Sequence, residues 1–260
     1  MDKGAELNSP ILSVVLPAHR ADDYLRAALK SVETALAGMD AELLVVANGP
    51  ERSAVTQMVL DISTHPLTRV VEAGIPALVH CLNRGLEEAS GEYIARFDSD
   101  DLCLPGRFRH QLRLALDSDA DFLFGAANII LEDGTPTGRT KTSGTRLWCV
   151  CEPMHPTALM RRKALLELGG YGNVEYSEDY HLWLRAAAYG YKLVADIEPV
   201  INYRLHSGQA TDKTKLSRTF ATNVGIKLTI ALRERSPLLF AGAFTDLVRY
   251  VYRICANRFL

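Results

Sequence analysis

The sequence predicts an α/β fold with a mostly parallel central sheet, helices on both faces, and a helical extension at the C-terminal end. Three observations carry that expectation. Short apolar runs alternate with stretches of helical period from residue 11 to about 125. The runs are continuous rather than alternating, as strands covered on both faces are. From about 211 the pattern is helical throughout, broken at Ser236-Pro237.

In order, "ILSVVL" (11–16) reads as a buried strand and "PAHRADD" (17–23) as its loop. Tyr24, Leu25, Ala28, Leu29, Val32 and Leu36 then share one helical face. "ELLVV" (42–46) is a second strand, broken by "ANGP", and Val55, Met58, Val59 and Ile62 mark the next helix. "RVVE" (69–72) is a third strand, 76–89 a third helix, and "YIARF" (93–97) a fourth strand. Pro105 suits the first turn of the helix that follows. This βαβα order argues a parallel sheet with helices on both sides.

After about 125 the rhythm changes. "FLFGA" is strand-like, and "NIILEDGTPTGRT" reads as a hairpin turning at Asp133-Gly134. "RLWCV" and "TALMRR" read as further strands, and "KALLELGG" as a helix closed by glycine. "SEDYHLWLRAAAYG" is a helix with Ser177 as N-cap and two acids in its first turn. "YKLVAD" and "VINYRLH" are late strands.

The bulk numbers narrow the class. The chain has 260 residues, 48% hydrophobic and 23% charged, which is ample for a globular core. With a net charge of −2, no basic excess points to nucleic acid. The five cysteines, at 81, 103, 149, 151 and 255, lack framework spacing, and "CVC" has no second metal-ligand pair. Reduced thiols in a cytoplasmic protein are the expectation. The polar start "MDKGAELNSP" is not a signal peptide, and no apolar run nears the roughly 18 residues of a membrane span.

The most informative stretch is "ARFDSDDLCLP" (95–105), where Asp98, Asp100 and Asp101 crowd a strand end. In an open α/β sheet, ligands sit beyond the carboxyl ends of the strands. Like charges so placed are commonly neutralised by a divalent cation. An oxygen-only set suits Mg²⁺ or Mn²⁺ together with phosphate oxygens. The alternative is a solvated acidic turn with an N-cap aspartate.

"SVVLPAHRADDYLRAALKSV", "ELLVVANGP", "CLNRGLEEASGEYIARFDSDD" and "SEDYHLWLRAAAYGYKL" occur in that order, with "HPTALMRRKALLELGGYG" between the last two. Across about 13–208 the chain resembles the family 2 glycosyltransferases, inverting enzymes of the Rossmann-like GT-A fold. The resemblance implies a catalytic domain over 1–210 that binds a nucleotide-sugar donor and an acceptor, followed by a helical extension over 211–260. It implies transfer of a sugar to a hydroxyl group with inversion. Saccharide or lipid-linked saccharide acceptors in cell-envelope polysaccharide synthesis are the expected class.

The resemblance also assigns residues. Pro17, Ala18, His19 and Arg20 would lie against the nucleotide base. The family's two aspartates after the second strand are replaced here by Ala47 and Asn48, which leaves uracil, guanine and thymine open. Asn48 can both accept from and donate to a base. Asp98 and Ser99 fall to the ribose or sugar, and Asp100, Asp101 and His206 to Mn²⁺ or Mg²⁺. Asn83 and Arg84 are candidates for the diphosphate, with Arg84 as a helix-end charge the alternative. Glu178 and Asp179 look like the family's Glu-Asp pair, with Asp179 as general base. Trp183 belongs to the acceptor side or to the core. His155 belongs to the acceptor side or to an exposed loop, and an exposed loop is also the alternative for His206. The polar segment 206–215 suits a loop closing over the donor.

The tail, 216–255, has two readings: a helical pair packed on the catalytic domain or on a second subunit, or a basic amphipathic surface on anionic lipid at the inner face of the membrane. Two other functions use the same acids. A nucleotidyltransferase would consume a nucleoside triphosphate, and a non-catalytic nucleotide-sugar binder would need no base.

Overall fold

The computed structural model describes residues 10–148, 150–174, 177–207 and 216–256. The segment expected to close over the donor lies, from 208 on, outside the described residues, as do Cys149 and Arg258.

The first half follows the apolar pattern. Strands β1 (Leu12–Ala18) and β2 (Ala41–Ala47) are buried at every residue. Helix α1 (Asp23–Leu36) starts where the Asp22 carboxylate accepts the Leu25 N–H at 3.0 Å, an N-cap that satisfies an otherwise unpaired donor. Helix α2 (Arg52–Ile62), strand β3 (Thr68–Glu72), helix α3 (Leu78–Glu88) and strand β4 (Tyr93–Arg96) follow. The strands lie side by side, all parallel, in the order β3-β2-β1-β4. Helix α3 packs close because residue 85 is glycine: a Cβ there would sit 2.4 Å from Val15 Cγ1.

The second half extends the sheet. Its elements are β5 (Leu102–Cys103), α4 (Arg107–Ser118), β6 (Phe122–Ile130), β7 (Pro136–Lys141), β8 (Leu159–Arg161), α5 (Arg162–Glu167), α6 (Glu178–Ala188), β9 (Leu193–Arg204), α7 (Leu216–Glu234) and α8 (Pro237–Ala256). Strand β8 lies antiparallel between β4 and β6, and β9 runs parallel to β6. The β6–β7 hairpin turns at Asp133-Gly134, where Gly134 has φ 91° and the Asp133 carboxylate accepts the Thr135 N–H.

Several expectations are corrected. Pro17 and Ala18 end β1 rather than open its loop, because both pair with β2. Pro105 precedes α4 instead of entering its first turn, since Gly106 turns the chain at φ 81° and β5 occupies 102–103. The described residues of "RLWCV" form no strand. "YKLVAD" and "VINYRLH" contribute to one strand, β9, whose register with β6 shifts around Pro199, which has no ladder donor. Ser177 stands at the N-cap position of α6, but with φ 105° and no side-chain cap bond.

The core lies on both faces of the sheet. One cluster joins Leu16, Leu25, Leu29, Phe97 and Phe108; the other joins Val46, Leu82, Phe122, Phe124 and Trp183. Ile226 and Ile230 of α7 belong to the second cluster. The helical pair is held by a buried Lys227–Asp246 ion pair at 2.5 Å, with the Lys227 ammonium over the Tyr180 ring. Gly242 lets α8 meet the backbone of Trp148, where a Cβ would lie 1.7 Å from the carbonyl oxygen. The tail therefore packs on the α/β body.

Candidate active site

Because β1, β2 and β4 are parallel neighbours, the loops after them emerge along one edge of the sheet. Pro17 and Ala18 are buried there, while His19 and Arg20 are exposed. Asn48 is buried, and both its backbone N–H and its side-chain amide donate to the Ala18 carbonyl, at 2.9 and 3.1 Å. It ties the first loop to the second.

The third loop brings the acids together. Carboxylate oxygens of Asp98, Asp100 and Asp101 all lie within 4.8 Å of one another. Each acid has a different anchor. Asp98 is gripped through both oxygens by the guanidinium of Arg96, itself buried in β4. Asp100 meets His206 Nε2 at 2.9 Å. Asp101 is wholly buried; its Oδ1 accepts the Arg204 N–H at 2.9 Å, and its Oδ2 has no hydrogen-bond partner. Burial, then the charges of Asp98 and Asp100, push the Asp101 carboxyl well above the usual carboxylate range. Burial raises Asp98 as well, against the pull of Arg96. Ser99 lies half-buried between them.

His206 and Arg204 reach back to the first loop. The Tyr24 ring lies 5.4 Å from the His206 ring and beneath the Arg204 guanidinium, and its hydroxyl donates to Glu132. Arg204 also donates to the backbone carbonyls of Asp100 and Glu132. The end of β9 thus braces the acid loop.

Glu178 and Asp179 form a second acid set, half-buried in the first turn of α6. Asp179 Oδ1 accepts the Tyr180 N–H at 2.7 Å. Burial, then the Glu178 charge, raise the Asp179 carboxyl to about 6. Glu178 lies 3.9 Å from His155 Nδ1, and His155 Nε2 shares a 3.0 Å hydrogen bond with the Tyr171 hydroxyl. Burial and the Arg96 charge hold His155 well below the ordinary imidazole range, so it is neutral. The Arg96 charge acts on Asp98 and Asp101 of one acid set, on Asp179 of the other, and on Tyr171 and His155.

Two expected donor ligands are engaged elsewhere. Asn83 donates to the Tyr171 carbonyl and accepts its N–H, both at 2.8 Å, so its amide pins Tyr171. Arg84 pairs with Glu88 at 2.6 Å and Glu87 at 3.3 Å. Glu88 also meets Arg69 beside Glu42, near the amino ends of the strands. Trp183 is fully buried against Phe122, Phe124 and His155, a core residue.

A family model described as "Glycosyl transferase family 2" matches residues 13–173, more than half of the chain and including the whole acid loop. The chain belongs to glycosyl transferase family 2. Family membership makes it a transferase of the sugar-transferring class. It is 27% identical over 215 residues to the O-antigen biosynthesis glycosyltransferase WbnJ of Escherichia coli, covering 80% of this chain and 84% of that one. It is 25% identical over 178 residues to the E. coli UDP-Glc:alpha-D-GlcNAc-diphosphoundecaprenol beta-1,3-glucosyltransferase WfgD, covering 67% and 68%. Among solved structures, it resembles the mannosyltransferase PcManGT from Pyrobaculum calidifontis, in complex with GDP-Man and Mn²⁺, with a TM-score of 0.66 at 18% identity over 96% of this chain and 75% of that one. The fold of this family member is accordingly GT-A.

Arg96, Arg204 and Tyr171 are the site residues that pattern reading missed. A signal for the arginines was present: "YIARF" and "INYRLH" each carry an arginine inside a strand, and a buried arginine requires an acid or carbonyl partner.

Proposed function

We propose that this transferase moves a sugar from a nucleotide-sugar donor to a hydroxyl group of a saccharide acceptor, with inversion at the anomeric carbon and with Mn²⁺ or Mg²⁺ in the acid loop. The observation that carries the reading is the carboxylate triad with its buried, unpartnered Asp101 oxygen. An orphaned carboxylate oxygen among like charges is costly unless a cation completes it. The residues fit that group: Asp100 and Asp101 would hold the cation, with His206 beside them. When bound, the cation supplies Lewis-acid neutralisation of charge on the departing nucleoside diphosphate.

The chain's own residues do the rest. The edge formed by Pro17, Ala18, His19, Arg20 and Asn48 receives the nucleotide base, and Asp98 and Ser99 face the ribose or sugar. Arg96 fixes the Asp98 carboxylate and keeps a positive charge that acts on both acid sets. Asp179 takes the proton of the attacking hydroxyl at its carboxylate, with Glu178 raising its basicity. A base with a pKa near the working pH is effective in both proton uptake and release. Residues 1–210 form the catalytic unit in this reading, and 211–260 its helical extension. WfgD is named for a diphosphoundecaprenol-linked acceptor, which supports a lipid-linked saccharide acceptor here and a working place at the inner membrane face.

The test is thermal stabilisation by UDP, GDP, dTDP and CMP and their sugars, each with and without Mn²⁺. Stabilisation by one nucleotide that needs both Mn²⁺ and intact Asp100 and Asp101 is the expected result. No shift from any nucleotide with Mn²⁺ present would refute the donor site.

A further inference from the structure

Helix α8 turns an uncharged apolar face to solvent. Phe240, Phe244, Leu247, Val248, Val251 and Tyr252 are all exposed, Phe244 at 67% and Tyr252 at 73%. Their spacing of three, four and seven places them on one side of the helix, opposite Gly242, Ala243 and Asp246, which face α7 and the body. Leu238 of α8 and Leu228 and Leu232 of α7 are exposed as well. A stripe this continuous is unlike the singly scattered apolar residues of ordinary surfaces, and marks a contact surface.

Charge decides what it contacts. Residues 216–260 contain seven Lys and Arg against two Asp and Glu, in a chain whose total is −2. The acid of α8, Asp246, is buried and neutralised by Lys227. Arg233 and Arg249 are more than half exposed, and Arg235 is exposed at the turn between the helices, next to Leu232 and Leu238. A second copy laid against this stripe would bring two cationic segments together. An anionic surface would be attracted to this end and repelled by the acidic remainder, which orients the protein. No helix among the described residues is long and apolar enough to cross a membrane, so a membrane contact made by α8 would run along the surface. Exposed phenylalanine and tyrosine are suited to the headgroup boundary.

We infer that the exposed face of α8 is a docking surface for an anionic lipid bilayer, with Phe244 and Val251 entering the headgroup layer and Arg235 at the lipid phosphates. The inference deepens the membrane-face placement proposed above but rests on the exposed stripe and its charge, so its failure would leave the donor site and the sugar transfer untouched. Truncation would remove Ile226 and Ile230 from the core, so the test uses surface variants of the full chain.

The experiment is flotation with vesicles of phosphatidylglycerol and phosphatidylcholine, against vesicles of phosphatidylcholine alone. The full chain is expected to float with the anionic vesicles and to release as salt rises. Phe244→Asp with Val251→Asp should abolish flotation while leaving the melting temperature within a few degrees. Arg235→Gln should weaken partition by about fivefold, the equivalent of roughly 1 kcal/mol per basic residue. Should the double variant not fold, the salt dependence and Arg235→Gln decide alone. Equal flotation with neutral vesicles, no flotation with anionic ones, or flotation unchanged in the folded double variant would overturn the inference. So would a lipid-free dimer in sedimentation equilibrium that the double variant converts to monomer, because the stripe would then belong to a second copy.

Discussion

The two acid sets hold the same functional groups in opposite settings. The loop acids Asp98, Asp100 and Asp101 sit at a strand end, each tied to a basic side chain or to the backbone of one: Arg96, His206 and Arg204. The helix acids Glu178 and Asp179 sit at a helix start, next to a histidine that is neutral. The Arg96 charge acts on Asp179, but Arg96 is already paired with Asp98. The first setting fixes carboxylates in place and leaves one buried oxygen unmet, as a cation site does. The second leaves a carboxylate with a raised pKa and a solvent-reachable position, as a proton acceptor needs. Environment, rather than residue type, separates the two roles.

The sharpest way to break that contrast is Asp179→Asn. It should lower kcat by about 10²–10⁴-fold while Mn²⁺-dependent nucleotide binding persists, measured by turnover and thermal shift on one sample. Retained turnover would place the base elsewhere.

Removing the residue whose charge reaches both sets comes next. Arg96→Met leaves the half-buried Asp98 without its partner, and since breaking a fully buried pair costs about 3–5 kcal/mol, the loss here should be at or below the lower end of that range. Urea unfolding should show that loss in the midpoint. An unchanged midpoint would mean that Asp98 relaxes into water.

The pH profile tests the raised Asp179 carboxyl, with Asp179→Asn separating it from the loop acids, whose carboxyls are raised too. With the Asp179 carboxyl raised to about 6, its ionised form is lost as pH falls through that value. The rate should fall with a slope near one below pH 6, about tenfold per unit. The stability linkage has the opposite sign. A raised folded pKa means the native state binds the extra proton, so this group's contribution to stability is greatest below its unfolded pKa and declines as pH rises through about 6.

The smallest effect concerns the loop acids without metal. Asp101→Asn keeps an oxygen for the Arg204 N–H and replaces the orphaned oxygen with a donor facing two carboxylates. The metal-free melting temperature should rise by about 2–4 °C, in keeping with roughly 1 kcal/mol in a chain of this size. The Mn²⁺-dependent shift should vanish. A lower melting temperature would show that the triad is already neutralised by its own protons or neighbours.

Much of this was readable from the chain alone. Short continuous apolar runs rich in Val, Ile and Leu read as strands covered on both faces, and helical periodicity between them leaves a parallel order as the simplest solution, so β1 to β4 and α1 to α3 follow from local pattern. The acid loop was legible for the same reason, since three aspartates after a buried strand must emerge at its carboxyl end. The extension of β1 through Ala18, the strand β5 and the single bent β9 were not, because each depends on a partner strand distant in sequence.

Sequence by itself determined the family, the sheet and the identity of both acid sets, since these reside in residue type and short-range spacing. Only the tertiary structure decided what each acid faces. It drew Asn83 onto Tyr171 and Arg84 onto Glu87 and Glu88. It also brought Arg96, Arg204 and His206 to the loop from two strand ends more than a hundred residues apart. Charge acts through space over a few ångströms, and a buried arginine is committed by the neighbours that folding gives it, which no spacing along the chain records.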